Sequence, residues 1–180
     1  MTRPPQRALL FLDVDGPLLP FGAAEYPNHG TDPQACDVDA NPLLARLDPG
    51  YGPRLLRLPC DLVWATAWME EANTYIAPRL GLPELAVVIW PEQTEVDDRD
   101  ERAGLHWKTR TLVVRAAGRP FVWVDDEFTD TDRAWVAAHH RGSALLHHVD
   151  PRRGLTEADF TTVATWLRDP HVAPPSPPTT

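Results

Sequence analysis

A short apolar run near the start of the chain, Ala8–Leu12, stops at an acidic residue, Asp13. An unbroken run of this length is typical of a strand buried on both faces, as in parallel sheets. Similar runs recur along the chain and alternate with stretches of helical periodicity. The sequence predicts strands at Ala8–Leu12, Asp61–Thr66, Leu85–Trp90, Pro120–Val124 and Ala144–Val149. It predicts helices at Trp68–Leu80, His106–Ala117, Thr131–His140 and Thr156–Arg168.

This alternation predicts an α/β fold, with a central, mainly parallel sheet of about five strands and helices on both faces. A chain of 180 residues suits a single domain, which we expect to span residues 1–168. Residues 17–58 are rich in proline and glycine and predict a loop-rich flap or small cap, with a hairpin around Pro42–Leu47 followed by a short helix. Pro91–Arg102 predicts an acidic surface loop, and residues 169–180 predict a disordered, proline-rich tail.

Charge and composition restrict the partners and the compartment. The formal net charge of −9 argues against bulk electrostatic binding to nucleic acid or to anionic membranes. The two cysteines, Cys36 and Cys60, are typical of a reducing compartment. The first apolar run is too short for a signal peptide, and no segment is long enough to span a bilayer. We therefore expect a cytoplasmic protein with no membrane partner.

Polar residues follow the predicted strands at their carboxyl ends, where open parallel sheets form their functional crevice. Asp13 and Asp15 follow the first strand in an Asp-Val-Asp-Gly sequence, and alternate residues of an extended chain point to the same side. Thr66 ends the second strand, and Asp125 and Asp126 follow the fourth. We expect these residues to meet at one edge of the sheet.

Lys108 is the only lysine in the chain, and it lies near the start of a predicted helix. Ordinary structural roles also fit these residues, namely turn formation for the first acid pair, helix capping for Thr66 and solvation for Lys108. Two adjacent acids such as Asp125 and Asp126, however, repel each other at a crevice and favour a cation as partner. The pattern therefore favours a shared site over separate structural roles.

The order of these motifs resembles the signature of the haloacid dehalogenase (HAD) superfamily of phosphohydrolases. The similarity runs from Ala8 to about Asp130 and includes the strand context of each motif. It implies a three-layer, Rossmann-like fold without a large cap domain. In such a fold Asp13 would be the nucleophile and Asp15 the general acid and base, while Thr66 and Lys108 would bind the phosphoryl group.

The same resemblance implies Mg²⁺ as the cofactor, which suits the residue types. A carboxylate that attacks a phosphate dianion is repelled by its charge, and Mg²⁺, which prefers oxygen ligands, removes that repulsion. The expected metal ligands are Asp13, Asp15, Asp125 and Asp126. Asp126 and Asp130 have a spacing that resembles the superfamily's usual Gly-Asp-x-x-x-Asp form. This spacing favours Asp126 as the direct ligand, with Asp125 and Asp130 in supporting roles.

Three further residues are candidates for substrate contacts. Trp68 and Trp107 neighbour Thr66 and Lys108, and could form a wall on which a base or an aromatic leaving group stacks. Arg54, in the proline-rich covering segment, could anchor the far end of a substrate. Aromatic packing and solvation are the ordinary alternatives for these side chains.

The sequence therefore predicts a Mg²⁺-dependent phosphatase that hydrolyses a phosphate monoester through an aspartyl-phosphate on Asp13. The substrate class stays open among small molecules, nucleotides, nucleic-acid ends and phosphoproteins. The alternative is a non-catalytic HAD-like domain that senses phosphate or binds a protein. The presence of all four motifs argues against that alternative, because a binding module needs neither Asp13 nor Asp15.

Overall fold

A computed structural model describes residues 7–30, 41–92 and 94–169 of the chain. Its strands are β1 (Ala8–Leu12), β2 (Cys60–Trp64), β3 (Ala86–Val87), β4 (Phe121–Asp125) and β5 (Ala144–His148). They form one sheet in the order β3-β2-β1-β4-β5, and every neighbouring pair runs parallel. The predicted α/β fold with a parallel sheet is confirmed.

Helical segments separate the strands along the chain. The α-helices in the described ranges are α1 (Tyr51–Leu56), α2 (Ala77–Leu80), α3 (Glu95–Arg102), α4 (Thr109–Ala116), α5 (Asp130–His139) and α6 (Glu157–Arg168). A 3₁₀ helix lies at Pro42–Arg46 and a π-helical turn at Ala72–Ile76. None of these helices has both the length and the apolar character needed to cross a membrane.

The core has two parts, one on each face of the sheet. Leu10 and Leu12 of β1 pack into a cluster with side chains of α1, α2 and α6, whereas Leu9 and Phe11 pack into a second cluster with side chains of α4 and α5. Every residue of β1 is buried, as the apolar run predicted. The result is the expected arrangement of three layers.

Strand order places a topological switch point at the carboxyl end of β1. The chain proceeds from β1 to β2 and β3 on one side of the sheet, and then to β4 and β5 on the other. Leu12 pairs with Trp64 of β2 and with Val124 of β4, so three strands end at the same level. Open α/β sheets bind ligands in the crevice at such a point.

The hairpin predicted around Pro42–Leu47 is wrong. This segment forms the 3₁₀ helix Pro42–Arg46, which begins at Asn41, whose side chain accepts a hydrogen bond from the Leu43 amide at 3.0 Å. Proline at the first helical position favours this start, because its missing N–H would have no intrahelical partner there. The short helix expected next is α1.

The acidic surface loop predicted at Pro91–Arg102 is also wrong, since Glu95–Arg102 is the helix α3. Its exposure was expected, and it buries none of its residues. The helix is stabilised at its amino end by a capping box in which Asp97 accepts hydrogen bonds from the Thr94 amide and hydroxyl, both at 2.7 Å. Acids lie in its first turn and arginines in its last, which suits the helix dipole.

Two further elements are shorter than predicted. The third strand covers only Ala86–Val87, rather than Leu85–Trp90. The helix predicted at Trp68–Leu80 begins with turns and is π-helical at Ala72–Ile76 before α2. Pro78 cannot donate to the carbonyl four residues earlier, which disfavours a regular α-helix through this segment.

Part of the expected domain organisation falls on residues outside the described ranges. The flap predicted at residues 17–58 includes residues 31–40, and the predicted tail at residues 169–180 is described only at Asp169. The assignment of one domain to residues 1–168 stays a prediction.

Candidate functional site

The site begins where β1 ends. Asp13 is buried, and its backbone amide donates to the Val124 carbonyl at 3.1 Å, which fixes it beside β4. Its Oδ1 accepts a hydrogen bond from the Val14 amide at 2.8 Å, and its Oδ2 accepts one from Lys108 Nζ at 2.7 Å. Burial raises the pKa of Asp13, although the ammonium of Lys108 opposes that shift.

Lys108 lies at the amino end of α4 and is only 2% exposed. Its Nζ donates to Asp13 Oδ2 and to Asp125 Oδ2, both at 2.7 Å. Burial alone would lower the pKa of Lys108, but the charges of the two carboxylates raise it above its usual range. A single ammonium therefore links the acid after β1 to the acid that ends β4.

A buried acid, Asp132 of α5, holds the start of α4 in place. Its Oδ1 accepts hydrogen bonds from the His106 amide at 2.8 Å and from the Thr109 hydroxyl at 2.5 Å. Its Oδ2 accepts from the Thr129 amide at 2.8 Å at the start of α5. Asp132 therefore connects the start of α5 to the start of α4. Because two of its partners, His106 and Thr109, flank Lys108 in sequence, these bonds also position Lys108.

Three carboxylates converge around the ammonium. Oxygens of Asp13, Asp125 and Asp126 all lie within 4.8 Å of one another. Asp125 is held by the protein, because its Oδ2 also accepts from Trp123 Nε1 at 3.0 Å and its Oδ1 from the Glu127 amide at 3.1 Å. The carboxyl group of Asp126 is half-buried. Burial and the neighbouring charges of Asp125 and Glu127 raise the pKa of Asp126 to about 6.

These residues fit a divalent cation. Three carboxylates lie close to one ammonium, so negative charge is in excess. Burial is the main cause of the raised pKa values of Asp13 and Asp126, and the charge of Asp125 adds to both. Oxygen donors at this spacing suit Mg²⁺. Gly16 keeps room for the cluster, because a Cβ there would lie 2.5 Å from the Asp126 carboxyl carbon. Its φ of +82° also favours glycine.

Asp15 is not a member of this cluster, although the sequence analysis expected it among the metal ligands. Its Oδ2 instead accepts a hydrogen bond from Trp68 Nε1 at 3.0 Å. Trp68 is thus directed to the second acid of the Asp-Val-Asp-Gly motif. The acid–base role of Asp15 stays a prediction.

Thr66 follows β2 and is fully buried. Its hydroxyl oxygen accepts from the Trp68 amide at 3.3 Å, and its carbonyl accepts from Trp90 Nε1 at 3.0 Å. The helix-capping role considered for Thr66 is wrong, because a turn follows Thr66 and the helical segment begins later, so this bond stabilises the turn instead. A hydroxyl that accepts this bond still has its hydrogen to donate.

The remaining predicted residues lie apart from the cluster or at its margin. Trp107 is 45% exposed, and its ring centroid lies 5.4 Å from Lys108 Nζ and 4.7 Å from the centroid of Trp90. Trp68 and Trp107 line two different cavities among those of the described residues, and the shared aromatic wall stays a prediction. Arg54 pairs with Glu157 of α6 at 2.5 Å.

The supporting role expected for Asp130 is wrong. Its side chain is fully exposed, and its recorded partner is Arg133 of the same helix at 3.6 Å. The buried acid of this segment is Asp132, which positions the start of α4 as described above. The signal for Asp132 was present in the sequence, because Thr129 and Asp132 have the spacing of a capping box.

A second cluster of polar side chains, not evident from the sequence, lies at the edge of the site. Ligand atoms of His106, Asp125 and Glu127 lie within 4.8 Å of one another, and His106 Nε2 lies 3.2 Å from Glu127 Oε2. His106 and Glu127, but not Asp125, line the larger described cavity together with Trp90 and Trp107. No periodicity of the sequence places His106 against Glu127, so only the fold reveals this contact.

Comparison with known families agrees with the geometry. A family model described as the HAD domain in Swiss Army Knife RNA repair proteins matches residues 9–160. The match extends from β1 into the first turn of α6 and includes every residue of the acidic cluster and Lys108. Searches of curated proteins and of solved structures found no match.

Proposed function

The chain belongs to the family of HAD domains of Swiss Army Knife RNA repair proteins, and on that premise we propose that it is a Mg²⁺-dependent phosphatase of nucleic-acid ends. The proposed reaction removes a terminal phosphate monoester through an aspartyl-phosphate on Asp13. The observation that carries the proposal is the pairing of Lys108 Nζ with both Asp13 and Asp125 at 2.7 Å, inside a cluster of three carboxylates.

Asp13, Asp125 and Asp126 are the residues that would hold the metal. When bound there, Mg²⁺ would supply the positive charge that lets a carboxylate approach a phosphate dianion. Asp125 already accepts hydrogen bonds on both oxygens, which favours Asp126 as the freer ligand. Lys108 and the Thr66 hydroxyl would donate to the phosphoryl oxygens, where negative charge must be stabilised in the transition state.

The chemistry divides into two steps at the same phosphorus atom. In the first, an oxygen of Asp13 bonds to phosphorus, the bond from phosphorus to the leaving oxygen breaks, and Asp15 gives that oxygen a proton. In the second, Asp15 takes a proton from water as the water oxygen attacks phosphorus. The bond between Asp13 and phosphorus then breaks, and inorganic phosphate leaves.

Asp15 is held for this role by Trp68. The indole N–H donates to Asp15 Oδ2 at 3.0 Å, so Oδ1 is the oxygen that would carry the transferred proton. A hydrogen bond to one carboxyl oxygen fixes the direction of the other, which general acid catalysis requires. This contact supports the proposal that Asp15 is the general acid and base while Asp13 is the nucleophile.

Phosphate release from short RNA oligonucleotides with a 5′- or 3′-terminal phosphate tests the proposal. We expect turnover with Mg²⁺, none with EDTA, and a fall of about a thousandfold or more in Asp13→Asn, because the covalent route is lost. Asp98→Asn is the matched control, since Asp98 is an exposed acid of α3 outside the site. Turnover that survives in Asp13→Asn would reject the nucleophile, and no turnover of either substrate would favour the non-catalytic alternative.

A further inference from the structure

A cavity of about 480 Å³ opens beside Asp15, between the 3₁₀ helix Pro42–Arg46 and the segment 67–75. Its lining includes Asp15, Asn41, Leu44, Trp68, Glu71 and Tyr75. We propose that this cavity, the Asp15 cavity, binds the nucleoside from which the phosphate is removed, and that it favours bases with an amino group. The inference rests on the proposed function and specifies which part of the substrate lies where.

The location follows from the role of the acid. A general acid must reach the leaving oxygen within hydrogen-bond distance, so the leaving group must lie in the space that Asp15 faces. The larger cavity of about 730 Å³ is lined by His106, Trp107 and Glu127, but by none of the residues to which we assign a chemical step. A volume of 480 Å³ lies within the range of about 300–1,000 Å³ that is usual for small-molecule sites.

Two aromatic side chains provide surfaces for stacking. Trp68, Glu71 and Tyr75 follow one another at steps of three and four residues, and all three line the Asp15 cavity. The bond from Trp68 Nε1 to Asp15 fixes the indole edge next to the proposed acid. Tyr75 is 43% exposed, which leaves its ring available to a flat ligand. Stacking of this kind suits a nucleobase.

The polar groups and charges of the cavity indicate which leaving group fits. Its charged side chains are the acids Asp15 and Glu71, and none of the described residues that line it is basic. These carboxylates would repel a second phosphate, but Glu71 can accept from an amino group. Asn41 Oδ1 already accepts from the Leu43 amide at 3.0 Å, and its amide hydrogens, which have no partner among the residues that the structure describes, can donate. An acceptor beside a donor complements the amino group and ring nitrogen of adenine.

The test compares substrates that share a phosphate and a ribose but differ in the base. We expect kcat/KM for adenosine 5′- or 3′-monophosphate to exceed that for ribose 5-phosphate, and uridine monophosphates to lie between them. Tyr75→Ala should lower the ratio of the adenosine to the ribose substrate about tenfold, a typical effect of losing one base–aromatic stack. Tyr75→Phe keeps the ring and should keep the ratio.

A binding measurement avoids dependence on turnover. Adenosine, which has no phosphate, should quench tryptophan fluorescence of the Asp13→Asn protein and bind more weakly when Tyr75→Ala is added. Turnover of ribose 5-phosphate with no preference for adenosine would overturn this inference and leave the phosphatase proposal standing. A ratio that falls in Trp107→Ala but not in Tyr75→Ala would also overturn it, in favour of the larger cavity. Absence of turnover with every substrate would reject the phosphatase proposal and this inference with it.

Discussion

Replacement of Lys108 by methionine is expected to lower the free energy of unfolding by about 3–5 kcal/mol, the usual cost of removing one partner of a buried ion pair. The ammonium donates to Asp13 and Asp125 at 2.7 Å each. A hydrogen bond to a charged group contributes roughly 1.5–3 kcal/mol, so the loss of two gives a similar figure. Methionine keeps much of the aliphatic chain, so the loss comes mainly from the charge.

Urea unfolding followed by tryptophan fluorescence, near neutral pH and with EDTA, measures this difference. Arg115→Met is the matched control, because Arg115 is an exposed cation on the same helix, and its removal should change stability by no more than about 0.5 kcal/mol. Addition of Mg²⁺ should recover part of the loss in Lys108→Met, since the metal would neutralise the same carboxylates. If the two variants lose equal stability, Lys108 does not neutralise the acidic cluster and the electrostatic reasoning is wrong.

Two other substitutions test separate parts of the structure. Gly16→Ala should destabilise the protein by about 1–3 kcal/mol and weaken Mg²⁺ binding, because Gly16 has a φ of +82° and a Cβ would lie 2.5 Å from the Asp126 carboxyl carbon; unchanged unfolding and metal titrations would contradict this. Asp159→Asn tests the His147–Asp159 pair. Burial of Asp159 by itself would raise the pKa of its carboxyl group, but hydrogen bonds from His147 and Thr156 lower that pKa to about 2. The depressed pKa contributes stability of about 2 kcal/mol above pH 4 that disappears as pH falls through about 2. Thermal unfolding at several pH values should therefore show a difference from the wild type that shrinks with acid, and a constant difference would refute the assignment.

The sheet and its ends were predictable from local sequence. The run Ala8–Leu12 is apolar at every position, as is typical of a strand buried on both faces, and β1 has these bounds. Because parallel strands end at one edge, the meeting of Asp13 with Asp125 and Asp126 followed from the strand order. The single lysine of the chain pointed to the same site, where Lys108 pairs with two of these acids.

The sequence-based predictions failed in two situations. In one, side chains distant in sequence meet in the fold, and in the other, a helix is stabilised by its cap rather than by an apolar face. Glu95–Arg102 has almost no apolar residue, so its helix depends on the Thr94–Asp97 capping box and on charge order rather than on an amphipathic pattern. The bond from Trp68 to Asp15 joins residues far apart in sequence, and no spacing encodes it. Asp130 has the spacing of the expected motif but is exposed, whereas the buried acid of this segment, Asp132, lies outside that spacing.

Calorimetric titration of the protein with Mg²⁺ is the most direct measurement of whether the acidic cluster holds a divalent ion. We predict one ion per chain, with an affinity that falls by about a hundredfold in Asp126→Asn, because even supporting residues of metal sites commonly contribute about 10–100-fold. Glu127→Gln, which changes the neighbouring exposed acid, should bind almost as the wild type does. A wild-type protein that binds no Mg²⁺, or an affinity lost in Glu127→Gln and kept in Asp126→Asn, would contradict the account.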